Sequence, residues 1–391
     1  MTWPILPPAT IGILGGGQLG RMLALAARAM GYRIIALDPD PEAPVRHVVD
    51  EHLVAPYDDA ASLDAMASRC AVVTTEFENP PASALERLAA RTVVAPGPRA
   101  VAIAQDRLAE KTFLGGIGLP IGPYAAVTSD EDLRAAVDAV GLPAILKTAR
   151  LGYDGKGQRR VDDAVQVAAG FSALGRVPCV LEALLPLELE LSVVAARSLT
   201  GEFRAFPVAE NAHAAGILDR TVVPARVSAA LADEAVAIAH RIAEALDYRG
   251  VFAVELFVVG GQLLVNELAP RPHNSGHWTL DACRTSQFEQ QVRAVCGLPL
   301  GDTTLDSPVA MLNILGDAWA SGDPDWPAVL ALPGTKLHLY GKQEPRPGRK
   351  MGHVNALAGT ADGAAAAAEL VRVSLSPGGR AGPATAPDPR R

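Results

Sequence analysis

Val251-Phe252-Ala253-Val254-Glu255-Leu256-Phe257-Val258-Val259-Gly260-Gly261-Gln262-Leu263-Leu264-Val265-Asn266-Glu267-Leu268 is the stretch that says most about the fold. Two runs rich in β-branched and aromatic residues flank a Gly-Gly pair, which reads as a β-hairpin with a tight turn. Each arm carries one carboxylate, Glu255 or Glu267, among apolar neighbours. A carboxylate on a half-buried strand is expensive unless it is paired or bound to a metal. Two of them close together repel, and a divalent cation removes that penalty; Mg²⁺ commonly takes one or two carboxylates together with substrate phosphates. The bland alternative is two solvent-facing strand positions. Register tests the metal reading. A strict two-residue turn pairs 255 with 266 and puts the two glutamates on opposite faces. Shared metal binding therefore predicts a three-residue turn or a bulge near the glycines.

Directly downstream lies Arg271-Pro272-His273-Asn274-Ser275-Gly276-His277, a dense polar loop suited to a substrate site, with no zinc-ligand spacing. Either histidine alone reads as an ordinary hydrogen-bonding residue. Upstream, the apolar strand Ala144-Ile145-Leu146-Lys147-Thr148 runs toward Gly152-Tyr153-Asp154-Gly155-Lys156-Gly157-Gln158. Three glycines in six residues make a flap whose N–H groups can cover phosphates. It is not a Walker A loop, since Lys-Ser/Thr is missing and a strand follows rather than a helix. A mobile hairpin tip is the alternative, but a strand-borne lysine beside a glycine flap suits nucleotide phosphates. Near the end, Lys342 and Arg346-Pro347-Gly348-Arg349-Lys350-Met351-Gly352-His353 form a basic cluster, either a solvated loop or a clamp for an anionic substrate.

The first hundred residues alternate strand and helix, which indicates a doubly wound parallel sheet. Gly15-Gly16-Gly17-Gln18-Leu19-Gly20 is G-x-G-x-x-G between a strand and a helix, and Asp38 ends the next strand. Three readings stay open for this loop: NAD or FAD binding, another phosphate-bearing ligand, or a tight turn. Beyond it, one helix is expected over 99–114, then α+β texture to about 300, then short strands and an alanine-rich helix. The Pro/Gly/Ala/Arg tail over 376–391 reads as disordered.

Composition narrows the function. The chain has 391 residues and a formal net charge of −8, which argues against a general nucleic-acid binder, as does an aromatic content of 5%. No apolar run is long enough to span a membrane, and the N-terminus does not read as a signal peptide. The four cysteines are scattered and read as reduced thiols of a cytoplasmic protein. Only six of the 35 basic residues are lysines: Lys111, Lys147, Lys156, Lys336, Lys342 and Lys350. A lysine kept where arginine is the default merits inspection, because the two cations do different work.

Taken together these motifs resemble the ATP-grasp superfamily and, within it, the 5-(carboxyamino)imidazole ribonucleotide synthase family, ATP-dependent phosphoribosylaminoimidazole carboxylases of purine biosynthesis. The motifs that carry the resemblance are the 16–22 glycine loop, the 152–158 flap, Glu210-Asn211-Ala212-His213 with Gly216-Ile217-Leu218, the run from Asn266 to His277, and the 346–353 run. They cover residues 10–375, apart from 317–325, which carry no pattern that can be placed. The resemblance implies an α/β and α+β fold. Its parts are an N-terminal Rossmann-like substrate-binding domain (1–106), a central ATP-grasp domain with its glycine flap (107–300) and a small C-terminal domain (301–375). It implies a ligase that forms a homodimer, with ATP, Mg²⁺, bicarbonate and 5-aminoimidazole ribonucleotide as the small molecules handled.

By the same resemblance, ATP is contacted by Arg107, Lys147, the flap residues Gly152, Tyr153, Asp154, Gly155, Lys156, Gly157 and Gln158, the strand end Glu182, Ala183, Leu184 and Leu185, and Glu190, His213, Asn266 and Glu267. Glu255 and Glu267 hold Mg²⁺. Gln18, Leu19 and Glu76 contact the acceptor nucleotide, and Lys342 and Arg349 its phosphate. Arg271, His273 and Asn274 face bicarbonate, with Asp154, Arg271 and Lys350 in catalytic roles. Another ATP-grasp ligase, such as formate-dependent glycinamide ribonucleotide transformylase, shares nearly all the ATP and metal residues. A Rossmann NAD-dependent dehydrogenase is the alternative of a different class; it leaves the carboxylate hairpin and the flap unexplained.

Overall fold

The structure is a computed structural model that describes residues 3–152 and 155–375. The tail over 376–391 lies outside the described residues, as do Tyr153 and Asp154 of the flap. Strands β1 (Thr10–Leu14), β2 (Arg33–Leu37), β3 (Glu51–Leu53), β4 (Val72–Thr75) and β5 (Val93–Val94) form a parallel sheet in the order β3-β2-β1-β4-β5. The order reverses at β1, so β1 and β4 diverge to their neighbours and leave a crevice beyond their carboxyl ends. Gly15 follows β1 and Glu76 follows β4, which brings both to that crevice.

A second sheet, order β6-β9-β7-β8, is antiparallel: β6 (Tyr124–Val127), β7 (Ala144–Thr148), β8 (Gln158–Val161) and β9 (Cys179–Ala183). The flap joins β7 to β8. The third sheet has nine strands: β10 (Leu189–Arg197), β11 (Phe203–Ala205), β12 (Ala209–Ala214), β13 (Ile217–Val223), β14 (Gly250–Val259), β15 (Gln262–Ala269), β16 (Val309–Leu315), β17 (Thr335–Leu339) and β18 (Lys350–Leu357). Its order is β15-β14-β10-β12-β13-β16-β18-β17, with β11 paired to β10. The C-terminal strands thus extend the central sheet through the β13–β16 pairing.

A local feature differs from the expectation of the sequence. The single helix expected over 99–114 is two, Pro98–Ala104 and Arg107–Gly116. Asp106 breaks it: its carboxylate accepts the N–H groups of Leu108 and Ala109, an N-cap that starts a new helix and puts Arg107 in its first turn. The helix Gln287–Val295, at the end of the central segment, packs onto the N-terminal sheet. Phe288, Val292 and Val295 are buried in one cluster with Ile11, Ile13, Leu23 and Ile34.

The β14–β15 hairpin settles its own register. Val259 pairs with Gln262, so the turn is the two-residue kind, and Gly260 and Gly261 both have positive φ, +57° and +72°. Leu256 then pairs with Val265, but Glu255 pairs with Glu267. The bulge exists, but at Asn266, beside the carboxylates rather than near the glycines. Its cause is legible in the packing. Leu263 and Val265 face the helix Ala229–Ala245, and unbroken alternation would send Glu267 after them. The extra residue sends Leu268 into that core instead, worth about 2 kcal/mol of apolar burial, and turns Glu267 out beside Glu255.

Candidate active site

The three sheets surround a cleft of about 600 Å³. One wall is the N-terminal crevice, with Gln18, Leu19, Glu76 and Glu78. The other carries Arg107, Lys147, Gly152, Gly155, Lys156, Gln158, Glu190, His213, Glu255, Asn266, Glu267, Arg271, His273, Asn274 and Lys350. A smaller pocket of about 70 Å³ adjoins it, lined by Lys147, Glu182, Ala183, Leu184, Leu185, Phe257 and Val265. Gly157, Lys342 and Arg349 are not on either wall. Arg349 donates to the Glu344 carbonyl at 2.9 Å, and the Lys342 amine donates to the Lys350 carbonyl at 2.7 Å. Tyr153 and Asp154, expected at the nucleotide, fall outside the described residues.

The glycine loop has its donors occupied by the chain's own carboxylates. Gly16 N–H donates to Asp38 at 2.6 Å, and Gly17 and Gly20 donate to Glu76 at 2.9 and 3.0 Å. Asp38 also accepts the Tyr57 hydroxyl at 2.7 Å and is buried. A pyrophosphate would need those N–H groups, and a ribose would need a free Asp38. The dinucleotide reading loses both its contacts here. Burial pushes the Glu76 carboxyl above its usual range, against the pull of the two backbone N–H groups.

The metal-candidate pair sits at the cleft floor. Burial and then the charge of Glu267 push the Glu255 carboxyl up to about 8. Burial pushes Glu267 the same way, but Arg107, bonded to it at 2.8 Å, more than reverses this and holds it below the usual value. The pair thus keeps its charge on Glu267, beside Arg107, and a divalent cation would let both carboxylates ionise. Among the described residues no three His, Cys, Asp or Glu side chains are grouped to hold a metal. Two carboxylates without a third fit Mg²⁺ that shares nucleotide phosphates, rather than a self-contained protein cage.

Lys147 is paired with Glu182 at 2.6 Å, and Lys111 meets the same carboxylate at 2.9 Å from a buried position. His213 Nδ1 lies 2.8 Å from Glu190. Burial disfavours its charged form, but the bond to Glu190 and the charges of Glu190 and Glu255 outweigh that and raise its pKa. His273 is held neutral, first by burial and then by the positive charges of Arg271 and Lys350. It bonds Ser275 through Nδ1 at 2.8 Å and lies 3.3 Å from Glu255 through Nε2. Asn274 exchanges two amide bonds with Asn313, at 3.0 and 2.7 Å.

The flap rests on the β12–β13 turn. A Cβ on Gly216 would stand 2.8 Å from the Gly155 Cα, so the Gly216 position needs glycine for close approach as well as for its φ of +80°. Glu78, Glu110 and Lys111 are the charged site residues that sequence reasoning misses. Lys111 alone leaves a signal, as one of the rare lysines.

Family models match three stretches of the chain: a ribonucleotide synthetase preATP-grasp domain over residues 8–105, an ATP-grasp domain over 112–288, and a phosphoribosylaminoimidazole carboxylase C-terminal domain over 309–367. The N5-carboxyaminoimidazole ribonucleotide synthase of Brucella melitensis biotype 1 is 48% identical over 351 residues, 89% of this chain and 96% of its own length. A crystal structure of an ADP complex of N5-carboxyaminoimidazole ribonucleotide synthetase superposes with a TM-score of 0.90 at 44% identity, covering 95% of this chain and 98% of that one. The Aspergillus clavatus N5-carboxyaminoimidazole synthase, solved with ADP and 5-aminoimidazole ribonucleotide, gives a TM-score of 0.86 at 28% identity, covering 96% and 99%.

Proposed function

The chain belongs to the N5-carboxyaminoimidazole ribonucleotide synthase family, and from that premise we propose how its own residues divide the reaction. The protein is an ATP-dependent carbon–nitrogen ligase of purine biosynthesis. With Mg²⁺, it converts 5-aminoimidazole ribonucleotide, bicarbonate and ATP to the N-carboxy nucleotide, ADP and phosphate. The observation that carries the division of roles is the Glu255–Glu267 pairing across β14 and β15, which turns both carboxylates into a cleft shared with Lys147 and the flap.

Bicarbonate is a poor electrophile. Its oxygen attacks the γ-phosphorus of ATP, ADP leaves, and carboxyphosphate results. That species releases CO₂ and phosphate beside the acceptor amine, which forms the new C–N bond and gives up a proton. Glu255 and Glu267 would hold Mg²⁺, which supplies charge neutralisation for the nucleotide phosphates. Lys147 leaves Glu182 for the phosphates, and Lys111 stays to neutralise Glu182. The flap over 152–158, seated on Gly216, keeps water from carboxyphosphate. The apolar pocket ending in Glu182, Ala183, Leu184 and Leu185 suits the adenine; Glu190 and His213 suit the ribose side. Arg271 and His273 take bicarbonate, with Asn274 behind them. Gln18, Leu19 and Glu76 face the acceptor, Lys342 and Arg349 its phosphate, and Asp154 and Lys350 the reacting amine and carboxyl.

The segments 1–106, 107–300 and 301–375 remain our division of the chain into domains. A cytoplasmic homodimer is the finer reading of its state, supported by the family resemblance and, for the compartment, by four free cysteines. Light scattering of the purified chain tests the dimer. The decisive assay for the reaction follows ADP release and carbamate formation with each substrate omitted in turn. Turnover with formate and glycinamide ribonucleotide in place of bicarbonate and the aminoimidazole nucleotide would point to the transformylase instead.

A further inference from the structure

Arg271 and Glu78 form an ion pair across the cleft: the Arg271 Nη2 group donates to the Glu78 carboxylate. Both are largely sheltered, with side chains 16% and 29% exposed, and both line the cleft. The other terminal nitrogen of Arg271, Nη1, donates to the Pro272 carbonyl at 2.9 Å. Each terminal nitrogen of the guanidinium that would meet a bicarbonate or carboxyphosphate oxygen therefore already has a partner. Glu78 reaches it from the segment that follows β4, two residues beyond Glu76, whose carboxylate holds the N–H groups of Gly17 and Gly20 on the acceptor wall. Glu76, Glu110, Glu190, Glu255 and Glu267 line the cleft besides, so an arriving anion is drawn to its cations, Arg271 among them.

We propose that Glu78 is a positioning residue that occupies Arg271 as a stand-in anion, and that bicarbonate enters by exchanging with it. The exchange frees Glu78, two residues beyond the Glu76 anchor, and so ties anion arrival at Arg271 to the wall where the acceptor docks. Glu78 thereby keeps the guanidinium ordered and keeps ATP from being consumed on bicarbonate before the acceptor wall has adjusted. The proposal rests on the reading of Arg271 as the bicarbonate partner.

The test uses the full chain with ATP, Mg²⁺, bicarbonate and 5-aminoimidazole ribonucleotide, following ADP and carbamate together. Glu78→Gln keeps an oxygen to accept from Arg271 and removes the competing charge. We expect its half-saturating bicarbonate to fall roughly fivefold, the scale of one partly screened ion pair. Half-saturating ATP should stay unchanged, and ADP release should exceed carbamate formation. Glu78→Asp keeps the charge on an arm too short to hold Arg271 as well, so its bicarbonate requirement should fall between those of Glu78→Gln and the parent; it carries the test by itself if Glu78→Gln does not fold. An unchanged or higher bicarbonate requirement in these variants overturns the proposal. Arg271→Ala run in parallel separates the two layers: if it leaves the bicarbonate titration intact, the reading of Arg271 fails, whereas a large shift there with none at Glu78 sinks only the exchange.

Discussion

Glu76 Oε2 accepts the backbone N–H of Gly20 at 3.0 Å, and its other oxygen accepts Gly17 at 2.9 Å, so an internal carboxylate fills the place that an external phosphate takes in dinucleotide-binding loops. The loop keeps the glycines because the carboxylate must come close: a Cβ on Gly15 would stand 2.5 Å from the Glu76 Cγ. Sequence pattern alone cannot tell a loop that binds an anion from one that carries its own.

That arrangement makes the loop's preference measurable. NAD should give no thermal stabilisation of the protein, whereas Mg-ADP should give a clear shift. Glu76→Ala orphans two buried or part-buried N–H groups and should cost about 2–4 kcal/mol. Inorganic phosphate should recover part of that loss in the variant and none in the parent, read as melting temperature against phosphate concentration. Stabilisation of the parent by NAD would restore the dinucleotide reading.

Glu267→Gln keeps the shape and removes one negative ligand. ATP turnover should fall at least ~100-fold, since metal stabilisation of transferring charge is worth several kcal/mol. The fold should persist, because the amide oxygen can still accept from Arg107. Near-normal ADP release at saturating Mg²⁺ would contradict the metal assignment.

Glu110 gives a pH signature. It is buried, accepts the Leu268 N–H, and is pushed up to about 8 from an ordinary 4.5, first by burial and then by Glu267. The unfolded chain loses this proton near 4.5, while the native state holds it until about 8. Across that window the native state binds more protons, so the Glu110 contribution lowers stability as pH rises and levels off above about 8. Glu110→Gln, which mimics the protonated acid, should match the parent near the acid end and be more stable above the window, by a few kcal/mol at most. Urea melts of both proteins across the range check it; parallel pH profiles would refute the raised pKa.

Much of the site is legible in the amino-acid sequence, and the residues that are not share a physical reason. The hairpin carboxylates, the flap and the run after Glu267 announce themselves because charged or glycine residues interrupt apolar strands. Glu110 does not. It sits in a helix where a glutamate is unremarkable, and its role arises from Leu268, 158 positions away. Glu78 and Lys111 are likewise defined by Arg271 and Glu182, partners that only tertiary packing supplies. A bulge follows from the need to bring two carboxylates together, but its position at Asn266 follows from the helix that claims Leu268. The break at Asp106 shows as a capping residue, yet the apolar spacing on both sides conceals it. The 317–325 segment, which shows no pattern, begins with Asp317, whose carboxylate accepts the Gly348 N–H at 2.7 Å and braces the basic loop.

The two ends of the site should separate in substrate titrations. Lys147 lies on the cleft wall, 2.6 Å from Glu182 and next to the pocket assigned to adenine. Lys147→Met should therefore depress ATP turnover whether or not the acceptor is present. Arg349 lies off the wall, bonded to the Glu344 carbonyl, so its service to an acceptor phosphate requires it to leave that carbonyl and turn inward. If it does, Arg349→Ala should raise the acceptor requirement by roughly 30-fold, the effect of removing one partner from a sheltered charge pair, while the ATP requirement stays unchanged. If Arg349 instead only holds the loop together, the loss should be a few-fold and should be reproduced by Asp317→Ala, which unfastens the same loop at Gly348 without touching a cation. Titrations of ATP and of 5-aminoimidazole ribonucleotide on the three variants, following ADP release, decide between them: equal small shifts for Arg349→Ala and Asp317→Ala would remove Arg349 from the phosphate site.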